Sequence, residues 1–210
     1  MIRNIHRKIT YIPEQDPFAS ETLARCLNRY IRRTGRLRKE MVCLCIGSDR
    51  IAGDSLGPLV GRSLIRQRQE DFFVYGTLEQ PVHAMNLRET LADLALCHPD
   101  ALVLAVDASL GCRSHQHHIS VGRGSIRPGS GAGKILPPVG DIFITGIVSS
   151  FEKGSHQALQ AVDFSRILRM ADTISRGILL CRSRRPPHLG RAEKRLPSAD
   201  NSLLFPVKQI

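Results

Sequence analysis

The segment Ile46-Gly47-Ser48-Asp49-Arg50-Ile51-Ala52-Gly53-Asp54-Ser55-Leu56-Gly57-Pro58-Leu59-Val60-Gly61 joins an apolar run to a helical pattern. The run before it, Met41 to Ile46, has the length and apolar character of a buried strand. After it, Leu56, Leu59, Val60 and Leu64 recur at spacings of three and four, as on one face of a helix to about Gln67. Asp54 stands where a helix N-cap is expected, able to accept the free N–H groups of the first turn. Pro58 is tolerated early in a helix because its missing N–H has no intrahelical partner there. The unit reads strand, glycine-punctuated loop, acidic cap, helix. In an open α/β sheet such a loop lies at the carboxyl end of a strand, where these folds build their sites.

Outward from this unit, strands and helices alternate. Phe72 to Gly76 is a short apolar and aromatic run, and Leu78-Glu79-Gln80-Pro81 breaks it. Residues 83–97 read as a helix with Leu87, Leu91, Leu94 and Ala95 on one face. Ala101-Leu102-Val103-Leu104-Ala105-Val106 is apolar on both faces, as a central parallel strand is, and is expected to end in Asp107-Ala108-Ser109. His118 to Gly122 and Asp141 to Ser149 are further strands, and His156–Val162 and Ile167–Leu180 further helices. Upstream, residues 1–16 have no clear period. Phe18 to Arg33 is a helix with a basic outer face, expected to pack on the domain edge and to stop at Gly35. The fold class is α/β, a three-layer αβα sandwich on a mostly parallel sheet.

The formal charge of +11 is unevenly spread over the 210 residues. Residues 1–40 hold ten Lys/Arg against four Asp/Glu, residues 182–210 seven against two, and residues 41–181 thirteen of each. This divides the chain into a basic N-terminal extension with one helix (1–40), an α/β domain (41–181) and a basic, disordered tail (182–210). A net-neutral centre argues against a dedicated nucleic-acid-binding fold, although the flanks remain able to touch nucleic acid or an anionic surface. Six cysteines show no C-x-x-C spacing, and Cys43 and Cys45 read as small buried hydrophobes in a reduced compartment. No signal-peptide pattern or membrane-length apolar run is present, so a cytoplasmic location is expected.

Two carboxylates are the leading site candidates. Asp54 follows the first strand of the domain through a loop, and Asp107 follows its central strand, so both belong at one edge of a parallel sheet. Such a pair can share a proton and activate water, or bind a divalent metal. The structural alternatives are a helix cap for Asp54 and a turn for Asp107. Asp49 is a weaker rival, and Asp141 reads as a turn residue. Gly129-Ser130-Gly131-Ala132-Gly133-Lys134 fails as a phosphate loop. Pro128 occupies the position of its first glycine, and Ile135 stands where Ser or Thr is required. His83 reads as a helix cap and His115, His117 and His118 as a polar loop. No histidine has diagnostic metal-ligand spacing. Cys112 has no obvious local partner, and no G-x-S-x-G is present.

The blocks Ile46 to Arg50, Gly53-Asp54-Ser55-Leu56-Gly57-Pro58-Leu59-Val60-Gly61, Val74 to Leu78, Pro81-Val82-His83-Ala84 and Asn86-Leu87 resemble the YyaC-like sporulation proteins of spore-forming Firmicutes, over roughly 41–181. That family in turn resembles the spore germination protease and, more distantly, the hydrogenase maturation proteases. Asp54-Ser55-Leu56-Gly57-Pro58 is similar to the germination protease's Asp-Ala-Leu-Gly-Pro, and Val106-Asp107-Ala108 to its Ile-Asp-Ala. Arg127-Pro128-Gly129-Ser130-Gly131-Ala132-Gly133 is similar to its His-Pro-Gly-Ser-Gly-Val-Gly loop. The resemblance implies a hydrogenase-maturation-protease-like fold and a sporulation- or germination-associated peptidase in the forespore or mother cell, with Asp54 and Asp107 catalytic. Gly129, Ser130 and Gly131 would bind a protein or peptide substrate. The hydrogenase maturation proteases add a histidine and bind a metal. No histidine here matches that motif, which favours a metal-independent pair without cofactor. A catalytically inactive relative that binds a peptide or protein in spore development is the alternative.

Overall fold

The computed structural model describes residues 9–35, 40–66, 72–129, 135–151 and 155–183. In chain order the elements are β1 (Thr10–Pro13), α1 (Ala19–Thr34), β2 (Met41–Cys45), α2 (Leu56–Ile65), β3 (Phe72–Tyr75), α3 (Leu87–Cys97), β4 (Leu102–Gly111), β5 (His118–Arg123), β6 (Ile142–Ser150), α4 (Ser155–Gln160) and α5 (Phe164–Ser183). The six strands form one sheet in the order β1-β5-β6-β4-β2-β3. The pairings β2 with β3, β2 with β4, and β4 with β6 are parallel; β5 runs antiparallel to both β6 and β1. Five strands therefore share one direction, and the expected mixed α/β architecture with a mostly parallel sheet is observed.

Alternation along the strands assigns the two faces. Met41, Cys43 and Cys45 of β2, Leu102, Leu104 and Val106 of β4, and Ile142 and Ile144 of β6 point to one side. There they meet Leu23, Leu27 and Ile31 of α1, Leu56, Val60 and Leu64 of α2, and Ile167, Ile174 and Ile178 of α5 in the main core. On the other side Leu44, Ile46 and Ala105 pack with Leu87 of α3, and Val42 packs with Leu94. The buried cysteines 43 and 45 behave as the expected small core side chains.

Several boundaries differ from the sequence reading, each for a local reason. A strand, β1, lies within residues 1–16, whose four residues at a sheet edge are too few to print a period; Pro13 is tolerated there because an edge strand has a free N–H side. The first helix is central rather than peripheral: Leu23, Leu27 and Ile31 are fully buried, and Gly177 of α5 leaves no room for a side chain beside Leu23. It ends on Gly35, whose φ of 72° is the left-handed cap glycine permits. The helix read over 83–97 starts at Leu87. Asn86 holds the residues before it in a turn, its Oδ1 accepting from the His83 backbone N–H at 2.8 Å and its Nδ2 donating to the Pro81 carbonyl at 3.0 Å. Ala95 is exposed rather than on its buried face.

The central strand does not end at Asp107. β4 continues to Gly111 because β6 supplies partners all the way, from Asp107 opposite Thr145 to Gly111 opposite Ser150. At the chain's far end, Arg182 belongs to the last turn of α5, its guanidinium 4.1 Å above the Phe72 ring centroid. Residues 184–210, most of the sequence-predicted tail, lie outside the described residues.

Candidate active site

β2 is joined through α2 to β3 on one side of it, and β3 through α3 to β4 on the other. The two helices cover opposite faces. The chain leaves the adjacent carboxyl ends of β2 and β4 in opposite directions, toward β3 and toward β5 and β6, which makes them the topological switch point where open α/β sheets bind ligands. β2 leaves the sheet after Cys45, while β4 runs on. The Ile46 N–H still bonds the Val106 carbonyl at 2.7 Å, and the Gly47 N–H bonds the Val82 carbonyl at 2.8 Å. The loop that carries Asp54 therefore starts beside the strand that carries Asp107.

Glycines let that loop close. Gly57 has no room for a Cβ, which would run into the Ile46 backbone carbonyl, so the first turn of α2 rests directly on the end of β2. Gly47, at φ 144°, likewise leaves space only for the Asp54 carbonyl, which accepts from the Ser48 N–H at 3.2 Å. Asp54 sits in a 3₁₀ turn, Ala52–Ser55, and α2 starts after Ser55. The expected cap is absent: neither residue makes a side-chain cap bond to α2, and the Ser55 hydroxyl donates instead to the Ala52 carbonyl at 2.7 Å. The Asp54 carboxylate is thus half-buried without serving the helix.

Asp107 is 9 % exposed. Its carboxyl pKa is pushed well above the usual range, first by burial and then by the negative charge of Asp54, while the Ala108 backbone N–H pulls the other way. The charge of Asp54 is thus felt at Asp107, each carboxyl group following one of two adjacent parallel strands. The turn role considered for Asp107 does not apply, since it lies within a paired strand.

The other candidates separate. Asp49 is exposed. Asp141 is structural: its Oδ2 accepts from the Val103 N–H at 3.0 Å, pinning β6 to β4. Gly129 is a turn glycine at φ 68°, and Ser130 and Gly131 lie outside the described residues. His83 does not cap α3; its Nδ1 is buried without a hydrogen-bond partner, and Val82 before it bridges Ile46. Among the described residues, no three His, Cys, Asp or Glu side chains converge as metal ligands would.

Sequence reasoning missed the row of hydroxyls beside Asp107. Thr145 lies opposite Asp107 on β6, and Ser120 opposite Thr145 on β5; their hydroxyls are 2.6 Å apart and buried. Both line a groove of about 270 Å³, together with Ser109, Cys112, His115 and Tyr11. Thr145 was detectable as the one hydroxyl in the otherwise apolar run Ile142 to Gly146.

A family model described as "Protein of unknown function (DUF1256)" matches residues 11–177. The chain belongs to this family. Within it, the protein is 37% identical over 170 residues to "Uncharacterized protein YyaC" of Bacillus subtilis (strain 168), covering 81% of this chain and 82% of that one. The YyaC-like resemblance is therefore established. Its extent is wider than the quoted blocks: the DUF1256 match starts inside β1 and takes in α1, and both contribute side chains to the main core. No described helix of this DUF1256 chain is long and apolar enough to cross a membrane.

Proposed function

We propose that the chain is a peptidase-like hydrolase acting in spore formation or germination, on a hydrogenase-maturation-protease-like fold, with Asp54 and Asp107 as its catalytic pair. What supports this reading is the buried Asp107 carboxyl at a sheet switch point, its pKa raised first by burial and then by the charge of Asp54. Burial of one acid of a pair favours it as the proton donor. Asp54, less buried, serves as the carboxylate that takes a proton from water as the oxygen attacks a peptide carbonyl. Asp107, carrying its proton, donates to the developing oxyanion or the departing amine. The groove along Thr145 and Ser120 offers hydroxyls to a bound backbone, and the loop at 129–131 is the second element proposed to contact the substrate.

The experiment is to incubate the protein with a complex peptide library and identify newly formed amino termini by mass spectrometry. Cleavage is expected from the wild type, and none from Asp54→Asn or Asp107→Asn proteins of unchanged circular dichroism. Wild-type rates in both variants would remove the pair from the chemistry. Saturable peptide binding without cleavage, equal in wild type and variants, would favour the non-catalytic binding module.

A further inference from the structure

At the far end of the same groove lies a second reactive constellation that the carboxylate chemistry does not use. Cys112 follows the end of β4 and precedes a single 3₁₀ turn, Arg113–His115. Its Sγ is 3.2 Å from Nδ1 of His115 and 3.2 Å from the Ser114 hydroxyl. The His115 ring is fixed from outside: it stacks on Tyr11 of β1, centroids 3.8 Å apart and planes within 5°, with His118 of β5 edge-on at 5.8 Å. The sulfur is exposed, and Cys112 and His115 both line the groove.

We propose that Cys112 is a thiol–disulfide exchange site for a small polar disulfide that docks in this groove. The Cys112 thiolate attacks one sulfur of the disulfide. A bond forms between the two sulfurs, the original S–S bond breaks, and the second half leaves as a thiolate that takes a proton from solvent. The disulfide is the only oxidant consumed, and no second cysteine of this chain is required.

Three features support it. First, a hydroxyl and an imidazole nitrogen each lie 3.2 Å from one sulfur, and a donor at that distance stabilises the thiolate, the attacking species. The Cys112 pKa is lowered, with the Ser114 hydrogen bond as the largest cause and backbone N–H groups of the turn adding to it. Among the described residues, the other titratable groups beside it are Tyr11 on β1, His115 and Arg113 in the turn, and His118 on β5. Second, the stacked Tyr11 prevents His115 from swinging away, so the pair is preorganised rather than transient. Third, the groove is lined by Ser109, Ser120 and Thr145 hydroxyls and has room for the polar half that stays attached.

The chain contains its own control. Among the six cysteines, Cys97 is exposed as well, while Cys26, Cys43, Cys45 and Cys181 are buried. The test is to add bis(2-hydroxyethyl) disulfide to the full chain and follow the adduct at each cysteine by peptide mass spectrometry, from pH 5.5 to 8.5. Cys112 is expected to react about tenfold faster than Cys97 at pH 6, where an ordinary thiol is almost wholly protonated. His115→Asn and Ser114→Ala are each expected to slow Cys112 severalfold and leave Cys97 unchanged. Equal rates at the two cysteines, or a Cys112 rate indifferent to both variants, overturns the proposal. The same measurement in Asp107→Asn is expected to match wild type, so the outcome stands apart from that of the peptidase reading.

Discussion

Glu14 and Asp107 are both carboxyl groups pressed beneath the surface of one sheet, and their surroundings are opposite. The Glu14 side chain, 2 % exposed, receives Arg169 Nε at 3.0 Å and Arg166 NH1 at 3.4 Å. It ties the end of β1 to the first turns of α5. Among the described residues, the charged group that acts on Asp107 is Asp54, of the same sign. A buried carboxylate between two guanidiniums is a structural joint. A buried carboxyl next to another carboxylate is an arrangement that folding alone disfavours, and such groups concentrate where chemistry is done.

The contrast breaks most sharply if Asp107 proves dispensable. Asp54→Asn and Asp107→Asn are each expected to reduce peptide cleavage by a factor of about a hundred or more, the scale of losing a general acid or base. Glu14→Gln is expected to leave the specific activity of the folded fraction unchanged. If Glu14→Gln also removes activity at full folding, the two carboxyl groups do not divide into structural and chemical roles.

Gly57→Ala tests the geometry without touching either carboxyl group. The added methyl meets the backbone of Ile46 rather than a side chain that can turn aside. A loss of stability of about 3 kcal/mol is expected, the upper range for overpacking a rigid site, together with a disproportionate loss of activity as the turn bearing Asp54 shifts. Urea denaturation beside the cleavage assay checks both. A stable, fully active variant would mean that the close seat of α2 on β2 does not position the pair.

The features legible in the sequence are those written in consecutive residues. Met41 to Ile46 and Ala101 to Val106 are apolar on both faces because helices cover both sides of their sheet, so their strands could be read directly. Placing Asp54 and Asp107 at one edge needed only the parallel direction of those strands. The obscured features depend on residues far apart in the chain. Nothing local states that β6 will extend β4 past Asp107, so Thr145 and Ser120 could not be assigned to its row. Cys112 looked solitary because its partner, three residues on, reaches it only through a 3₁₀ turn held by Tyr11, a hundred residues earlier. Asp54 had the residue type of a helix cap, but the 3₁₀ turn moved the start of α2 one residue beyond the position where a cap would serve.

At smaller amplitude, Glu14→Gln probes the structural side of the contrast. The variant keeps the shape and loses the charge, so the arginines lose charge-assisted hydrogen bonds worth about 2 kcal/mol in all, with part recovered because Arg169 is more than half exposed and can turn to water. A destabilisation of about 1–2 kcal/mol in urea is expected. No change at all would make Glu14 a bystander rather than a joint.

The gentlest test reads Asp107 through stability alone. Its pKa in the folded chain is raised above the ordinary 3.8. Between those two values the folded state holds a proton that the unfolded state has released, so stability falls as pH rises through that window. Below 3.8 both states are protonated and nothing is lost. Asp107→Asn cannot ionise, and its side-chain oxygen can still accept the Ala108 N–H. The variant is therefore expected to match wild type near pH 3.5 and to melt at a higher temperature at pH 8, gaining stability as it loses chemistry. Asp54→Asn is expected to recover only part of that gain, because burial, the first cause of the shift, remains when the neighbouring charge is gone. Thermal melts of the three proteins across this pH range measure the two contributions separately. If Asp107→Asn is no more stable at pH 8 than wild type, Asp107 is not the strained partner of Asp54, and the distinction from Glu14 collapses.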